Sequence, residues 1–153
     1  MPPGYVTISH SNGTNIYFCS AAGAQSVIDM HPNAKIHTHR TDLRQRMTTD
    51  RPVVEGAGKA TTDKNIAEAK AVAAEVMGVV AAGNYFGVIV HCEHGCERTP
   101  LVAAILLKLF GQVTTTAEAL QLIQALWDDR DDGNLSGYVE AYLNYMRDTK
   151  QWE

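Results

Sequence analysis

The segment from Gly87 to Phe110 constrains this chain of 153 residues more than any other part of it. Gly87-Val88-Ile89-Val90 is a short, continuous apolar run rich in β-branched residues, and it reads as a buried strand. Leu101 to Phe110 is strongly apolar, with Pro100 where a first helical turn tolerates proline, and it reads as a buried helix. Between them lies a polar stretch, His91-Cys92-Glu93-His94-Gly95-Cys96-Glu97-Arg98-Thr99-Pro100. A buried strand that enters a buried helix through a polar loop is an α/β pattern. In such sheets, ligand sites lie beyond the carboxyl ends of the strands.

The rest of the chain fits that frame. Tyr5 to Ser9 alternates apolar and polar residues, Ser11-Asn12-Gly13-Thr14 is a turn signal, and Ile16 to Cys19 is a second strand, so a hairpin is expected. Gly23 to Met30 suits a short helix ended before Pro32. Lys35 to His39 and Pro52-Val53-Val54 are further strand candidates, and Gly56 to Thr62 has loop composition. Ile66, Ala69, Val72, Ala73, Val76, Met77 and Val80 recur at helical spacing, with Thr62 or Asp63 as the expected N-cap and Gly83-Asn84 as the end. Thr116 to Trp127 and Leu135 to Met146 are two more amphipathic helices, joined by the acidic run Asp128 to Asp132. The aromatics Trp127, Tyr138, Tyr142, Tyr145 and Trp152 are expected to pack these terminal helices.

Composition narrows the function classes. The chain is 45% hydrophobic and 20% charged, enough for one sizeable core, so residues 1–153 are expected to form a single domain. The net charge of -4 argues against a general nucleic-acid binder. The locally basic segment Lys35 to Arg51, with His37 and His39, is expected to be a solvated surface or a positive rim for an anionic substrate. Three cysteines, Cys19, Cys92 and Cys96, are no disulfide framework and suggest a reducing compartment. Met1 to His10 lacks the pattern of a secretory signal, and the longest apolar run, Leu101 to Leu107, falls far short of the roughly 20 residues that span a bilayer. A cytoplasmic protein that does not enter membranes is expected.

The loop itself carries chemistry. A helix N-terminus offers unpaired N–H groups and partial positive charge to an anion. Five residues separate Cys92 from Arg98, enough to curl around one phosphate. Gly95 permits a backbone conformation that other residues resist. Arg98 could bind two phosphate oxygens, and those inward N–H groups, the helix dipole and Arg98 would favour a Cys92 thiolate beneath them. A thiolate so placed can attack phosphorus in line.

His91-Cys92-x-x-Gly95-x-x-Arg98-Thr99 resembles the signature of the cysteine-dependent protein phosphatases, most of all the compact dual-specificity branch. The resemblance extends over Asp63 to Val90, over Thr99-Pro100 with its apolar helix, and to the layout of the last two helices. It implies a central, mostly parallel sheet of about four to five strands flanked by helices, with the phosphate loop between a buried strand and helix. It implies a metal-independent enzyme without cofactor. Cys92 would be the nucleophile forming a phosphocysteine, and Arg98 would bind phosphate and stabilise the transition state. The backbone of Glu93, His94, Gly95, Cys96, Glu97 and Arg98 would cradle the oxygens. Thr99 would hydrogen-bond the sulfur, and His91 would support the thiolate. The family also uses an acidic residue on a separate loop; its place in the chain matches Asp63, with Glu55 and Asp50 in reserve. The implied substrate is a phosphorylated protein, with phosphotyrosine leading, or another phosphate ester.

Some features pull elsewhere. Glu93 and Glu97 place negative charge beside a phosphate site and resemble the loop of the rhodanese-like cell-cycle phosphatases. His94 and Thr99 resemble the loop of RNA 5′-triphosphatases, which leaves RNA 5′ ends and phosphoinositides as alternative substrates. A non-catalytic phosphate-binding module is the alternative outside enzymes. His91, Cys92, His94 and Cys96 crowd too closely for a relaxed tetrahedral zinc site, so no metal is expected. Cys96 is expected as a loop residue or a redox partner of Cys92, and Cys19 as core.

Overall fold

The computed structural model describes residues 4–35, 40–43, 46–47, 58–128 and 135–152. Among them four strands form one sheet: β1 (Tyr5–Ser9), β2 (Asn15–Ser20), β3 (Arg40–Asp42) and β4 (Gly87–Cys92), in the order β1-β2-β4-β3. β1 is antiparallel to β2, while β4 runs parallel to both β2 and β3, so the sheet is α/β and mostly parallel as expected. The hairpin turns on Gly13, whose φ of +94° lies in the left-handed region that glycine enters at little cost. There Asn12 Oδ1 accepts the Thr14 N–H at 3.0 Å, holding the turn.

The described residues also form the helices α1 (Ala21–Met30), α2 (Lys59–Ala82), α3 (Arg98–Leu109), α4 (Thr116–Asp128) and α5 (Tyr138–Asp148), of which α1 packs on one face of the sheet and α2 and α3 on the other. Strand alternation decides which face each residue joins. Ile16, Phe18, Val88, Val90 and Cys92 enter the large core with α2 to α5, whereas Tyr17, Cys19 and Ile89 meet Ala24 and Val27 of α1 on the other face. Cys19 is therefore core, as the sequence suggests. β4 is buried along its whole length because helices cover both its faces.

Three boundaries differ from the sequence reading. α2 starts at Lys59, so Thr62 and Asp63 stand inside the helix and neither is its N-cap; Gly58 is. The Gly58 carbonyl accepts the N–H groups of Thr61 and Thr62, at 3.1 and 3.2 Å, so Lys59 to Thr62 are helical and not loop. α5 begins at Tyr138, which leaves Leu135 to Gly137 as a connection over the loop between β4 and α3. β3 lies at Arg40–Asp42, while residues 36–39 and the strand candidate Pro52-Val53-Val54 lie outside the described residues. Gly83 closes α2 with a left-handed φ of +70°, as its place in the sequence predicts. Among the described residues no helix is long and apolar enough to cross a membrane.

Candidate active site

β4 ends at Cys92 and α3 begins at Arg98, so the loop between them projects from the carboxyl edge of the sheet. Gly95 has φ +70°, a conformation that would strain any side chain. That geometry turns the Gly95 N–H back to Cys92 Sγ at 3.1 Å. The Thr99 hydroxyl, from the first turn of α3, donates to the same sulfur at 2.9 Å. Two donors aimed at one sulfur suit an anionic sulfur. Cys92 is 2% exposed, so the sulfur forms a floor and not a surface. Glu97, the N-cap residue of α3, makes no side-chain capping bond, which leaves the helix N-terminus open to an anion.

Arg98 is buried beside this floor at 6% exposure. Its Nη1 donates to the Met47 carbonyl at 3.5 Å, while its Nε is buried with no hydrogen-bond partner among the described residues. One side of the guanidinium is thus tethered, and the Nε edge is left for an oxyanion, whose paired oxygens match the fork. Met47 belongs to a short turn whose N–H bonds to the Leu43 carbonyl at 2.9 Å. Arg46 of that turn pairs with Glu68 at 3.3 Å and with Glu75, both on α2. The described residues around the sulfur enclose a cavity of about 370 Å³, lined by Cys92, Glu93, His94, Cys96, Glu97, Arg98 and Ser136.

The loop is braced from outside. Trp127 of α4 donates its indole N–H to the Gly95 carbonyl at 2.8 Å, in a buried bond. The Ser136 N–H bonds to the Cys96 carbonyl at 2.9 Å, and the Ser136 hydroxyl donates to Glu97 Oε1 at 3.5 Å. The Ala21 N–H, at the start of α1, holds the Glu93 carbonyl at 3.2 Å. His91, one residue before the nucleophile position, has Nδ1 3.9 Å from Asp42 Oδ1 of β3. The sequence marks none of Trp127, Ser136, Met47 or Asp42 as a site residue. Each reaches the loop through folding alone, from positions with no local pattern.

The structure brings together His91, Cys92, Glu93, His94, Gly95, Cys96, Glu97, Arg98 and Thr99. Asp63 stands apart from them. It is not among the residues lining the cavity, and its Oδ1 accepts from the Tyr145 hydroxyl at 2.7 Å and from Gln151 Nε2 at 3.0 Å. These bonds, the one from Tyr145 first, hold its carboxyl below the usual carboxylate range, which disfavours proton donation. The reserves Asp50 and Glu55 lie outside the described residues, as do His37, His39, Arg44 and Arg51 of the basic segment. Lys35 lies beside His31 and Phe86 and does not line the cavity at Cys92. Among the described residues no group of three or more His, Cys, Asp or Glu is arranged to hold a metal ion.

The likeness to solved structures is one of fold. Human DUSP28 is 17% identical, with 99% of this chain and 97% of that chain covered at a TM-score of 0.62. A leucine rich repeat and phosphatase domain containing protein from Entamoeba histolytica is 14% identical, with 95% and 93% covered at 0.60. OH1 from the Orf virus, described as a tyrosine phosphatase with triple substrate specificity, is 15% identical, with 96% and 90% covered at 0.51. No curated protein matches the sequence. The sequence itself matches the tyrosine phosphatase family over residues 10–119, which include the whole of β4, the loop and α3. The chain therefore belongs to the tyrosine phosphatase family.

Proposed function

We propose that this protein is a metal-independent phosphomonoesterase of the tyrosine or dual-specificity type. The observation that carries the reading is Cys92 Sγ, held by the Gly95 N–H and the Thr99 hydroxyl at the floor of a cavity beside the open edge of Arg98. In the first step the Cys92 thiolate attacks phosphorus. A phosphorus–sulfur bond forms and the ester P–O bond breaks, while Arg98 and the loop N–H groups hold the equatorial oxygens. In the second step water attacks phosphorus, the P–S bond breaks, and Thr99 stabilises the departing thiolate. His91, whose Nδ1 lies 3.9 Å from Asp42 Oδ1, supports the strand end that carries the nucleophile.

The leaving oxygen needs a proton, and the following water must lose one. Glu97 suits both tasks better than Asp63. It is half-buried, lines the cavity and directly precedes Arg98, whereas the Asp63 carboxylate is bound to Tyr145 and Gln151. Asp63 on this reading ties α2 to the C-terminal segment.

Hydrolysis of an aryl phosphate without added metal tests the reaction. Turnover inhibited by vanadate and abolished by Cys92→Ser is expected; no turnover from mildly acidic to neutral pH refutes it. Glu97→Gln should slow esters with poor leaving groups by about 10²-fold or more, a usual size for general acid catalysis, and spare activated ones. The same leaving-group dependence in Asp63→Asn, absent from Glu97→Gln, would return the proton to Asp63.

A further inference from the structure

Glu93 is a carboxylate in the wrong place for a simple phosphate site. It follows the nucleophile position directly, and its carbonyl is fixed by the Ala21 N–H, so the residue is held at the cavity rim. It is exposed, and among the described residues no Lys, Arg or His forms an ion pair with it. Among the described lining residues Arg98 is the one permanent cation, and it faces two carboxylates, Glu93 and Glu97. Among the described residues the carboxylates therefore outnumber the cation at this cavity, and Glu93 is the exposed one of the two.

Two fields of different range act there. The loop N–H groups and the α3 N-terminus act through dipoles, which fade within about one helical turn, so they grip the phosphoryl group itself. A full charge reaches further, to about 8 Å at physiological ionic strength. Whatever is attached to the phosphate sits in the field of Glu93 and largely beyond that of the dipoles. An anionic neighbour is repelled there, and a cationic one is attracted.

We propose that Glu93 selects phosphopeptides that carry Lys or Arg beside the phosphorylated residue, and disfavours acidic peptides and multiply phosphorylated polyanions. The inference rests on the phosphatase reading of this site and narrows its substrate class. At such separations one charge pair at the protein surface changes affinity by about three- to tenfold.

The test uses matched phosphotyrosine peptides with basic, neutral or acidic flanks, a triphosphorylated RNA end, a multiply phosphorylated inositol, and p-nitrophenyl phosphate. Affinity is measured with the Cys92→Ser protein, and kcat/KM with the active one. Basic flanks should exceed acidic flanks by about tenfold at low salt, with the ratio shrinking at high salt. Adding Glu93→Gln should bring the ratio near unity, and Glu93→Lys should invert it. Both changes are at an exposed position, so folding is not at stake. Turnover of p-nitrophenyl phosphate with no ranking by flank charge, or a ranking unmoved by Glu93→Lys, overturns the proposal and leaves the phosphatase reading standing. Tighter binding of the RNA end or the inositol than of the basic peptide also overturns it. If nothing is turned over while peptide affinity still follows flank charge and Glu93, the phosphatase reading fails and the selectivity holds.

Discussion

The indole of Trp127 is expected to matter twice, for stability and for catalysis, and a matched control separates the two. Its N–H bonds to the Gly95 carbonyl at 2.8 Å, and the side chain is 1% exposed against Phe18 and the core. Trp127→Phe leaves a buried carbonyl unpaired, which costs about 1–3 kcal/mol. The lost second ring leaves a void that costs about 1–2 kcal/mol more. The sum, about 2–5 kcal/mol, is a large share of the usual 5–15 kcal/mol of a domain and should lower Tm by about 5–15 °C. Gly95 also donates to Cys92 Sγ, so its displacement moves a partner of the proposed nucleophile, and misplacement by 1 Å can cost about 10²-fold in rate. Trp152 offers the same bond elsewhere: its indole N–H donates to the Thr114 carbonyl at 2.8 Å, away from the loop. Thermal melts and kcat/KM on an aryl phosphate, measured well below both Tm values, give the comparison. Trp127→Phe should lose stability and at least about tenfold in kcat/KM, whereas Trp152→Phe should lose stability alone. Full activity in Trp127→Phe despite a lowered Tm would refute the claim that α4 sets the loop geometry.

Thr99→Ala removes a hydroxyl from the sulfur, a bond to a charged group worth about 1.5–3 kcal/mol, so breakdown of the phosphoenzyme should slow by about 10- to 100-fold and a burst of leaving group should appear. A uniform slowing with no burst would place Thr99 in the first step instead. Arg46→Ala frees the turn that presents the Met47 carbonyl to Arg98; KM should rise about three- to tenfold with little change in Tm, and Arg46→Lys should restore part of it, since a half-exposed ion pair contributes only about 0–1 kcal/mol to stability. Equal losses in Tm and KM that lysine does not relieve would mean the turn has only a structural role. For Asp63, the carboxyl is lowered in the folded state, so the stability it contributes is present above the ordinary carboxylate value and lost as pH falls through the lowered one. The Tm gap between the wild type and Asp63→Asn should therefore be present at pH 7 and close below about pH 4; a gap that persists in acid would refute the linkage.

Much of the site was legible in one stretch of sequence, because a strand, a loop and a helix adjacent in the chain form it by local geometry. Gly95 alone announces the left-handed turn, and the apolar runs on either side fix the directions from which Cys92 and Arg98 arrive. Asp63 has bonding partners that its place in the sequence does not show. Its spacing before the cysteine resembles the family pattern, yet α2 begins four residues before it, at Lys59, and turns the carboxylate to Tyr145 and Gln151. Helix starts are hard to read when threonines can sit in a first turn as well as at its cap, and here the Gly58 carbonyl took the first bonds.

The sequence by itself determined the α/β class, the hairpin, the buried strand and helix, and the tight loop between them, since each depends on periodicity or on conformational limits of single residues. Only the tertiary structure decided what surrounds the loop. Trp127, Ser136, Met47 and Asp42 come from four separate segments, and their contacts with the loop and its two ends exist because packing of α4, the α4–α5 connection, Leu43 to Met47 and β3 brings distant chain together. It also left Glu93 on the rim without a partner, because the fold brings no described cation to it. Contacts between residues far apart in sequence follow from the summed packing of whole elements, and no local pattern encodes them.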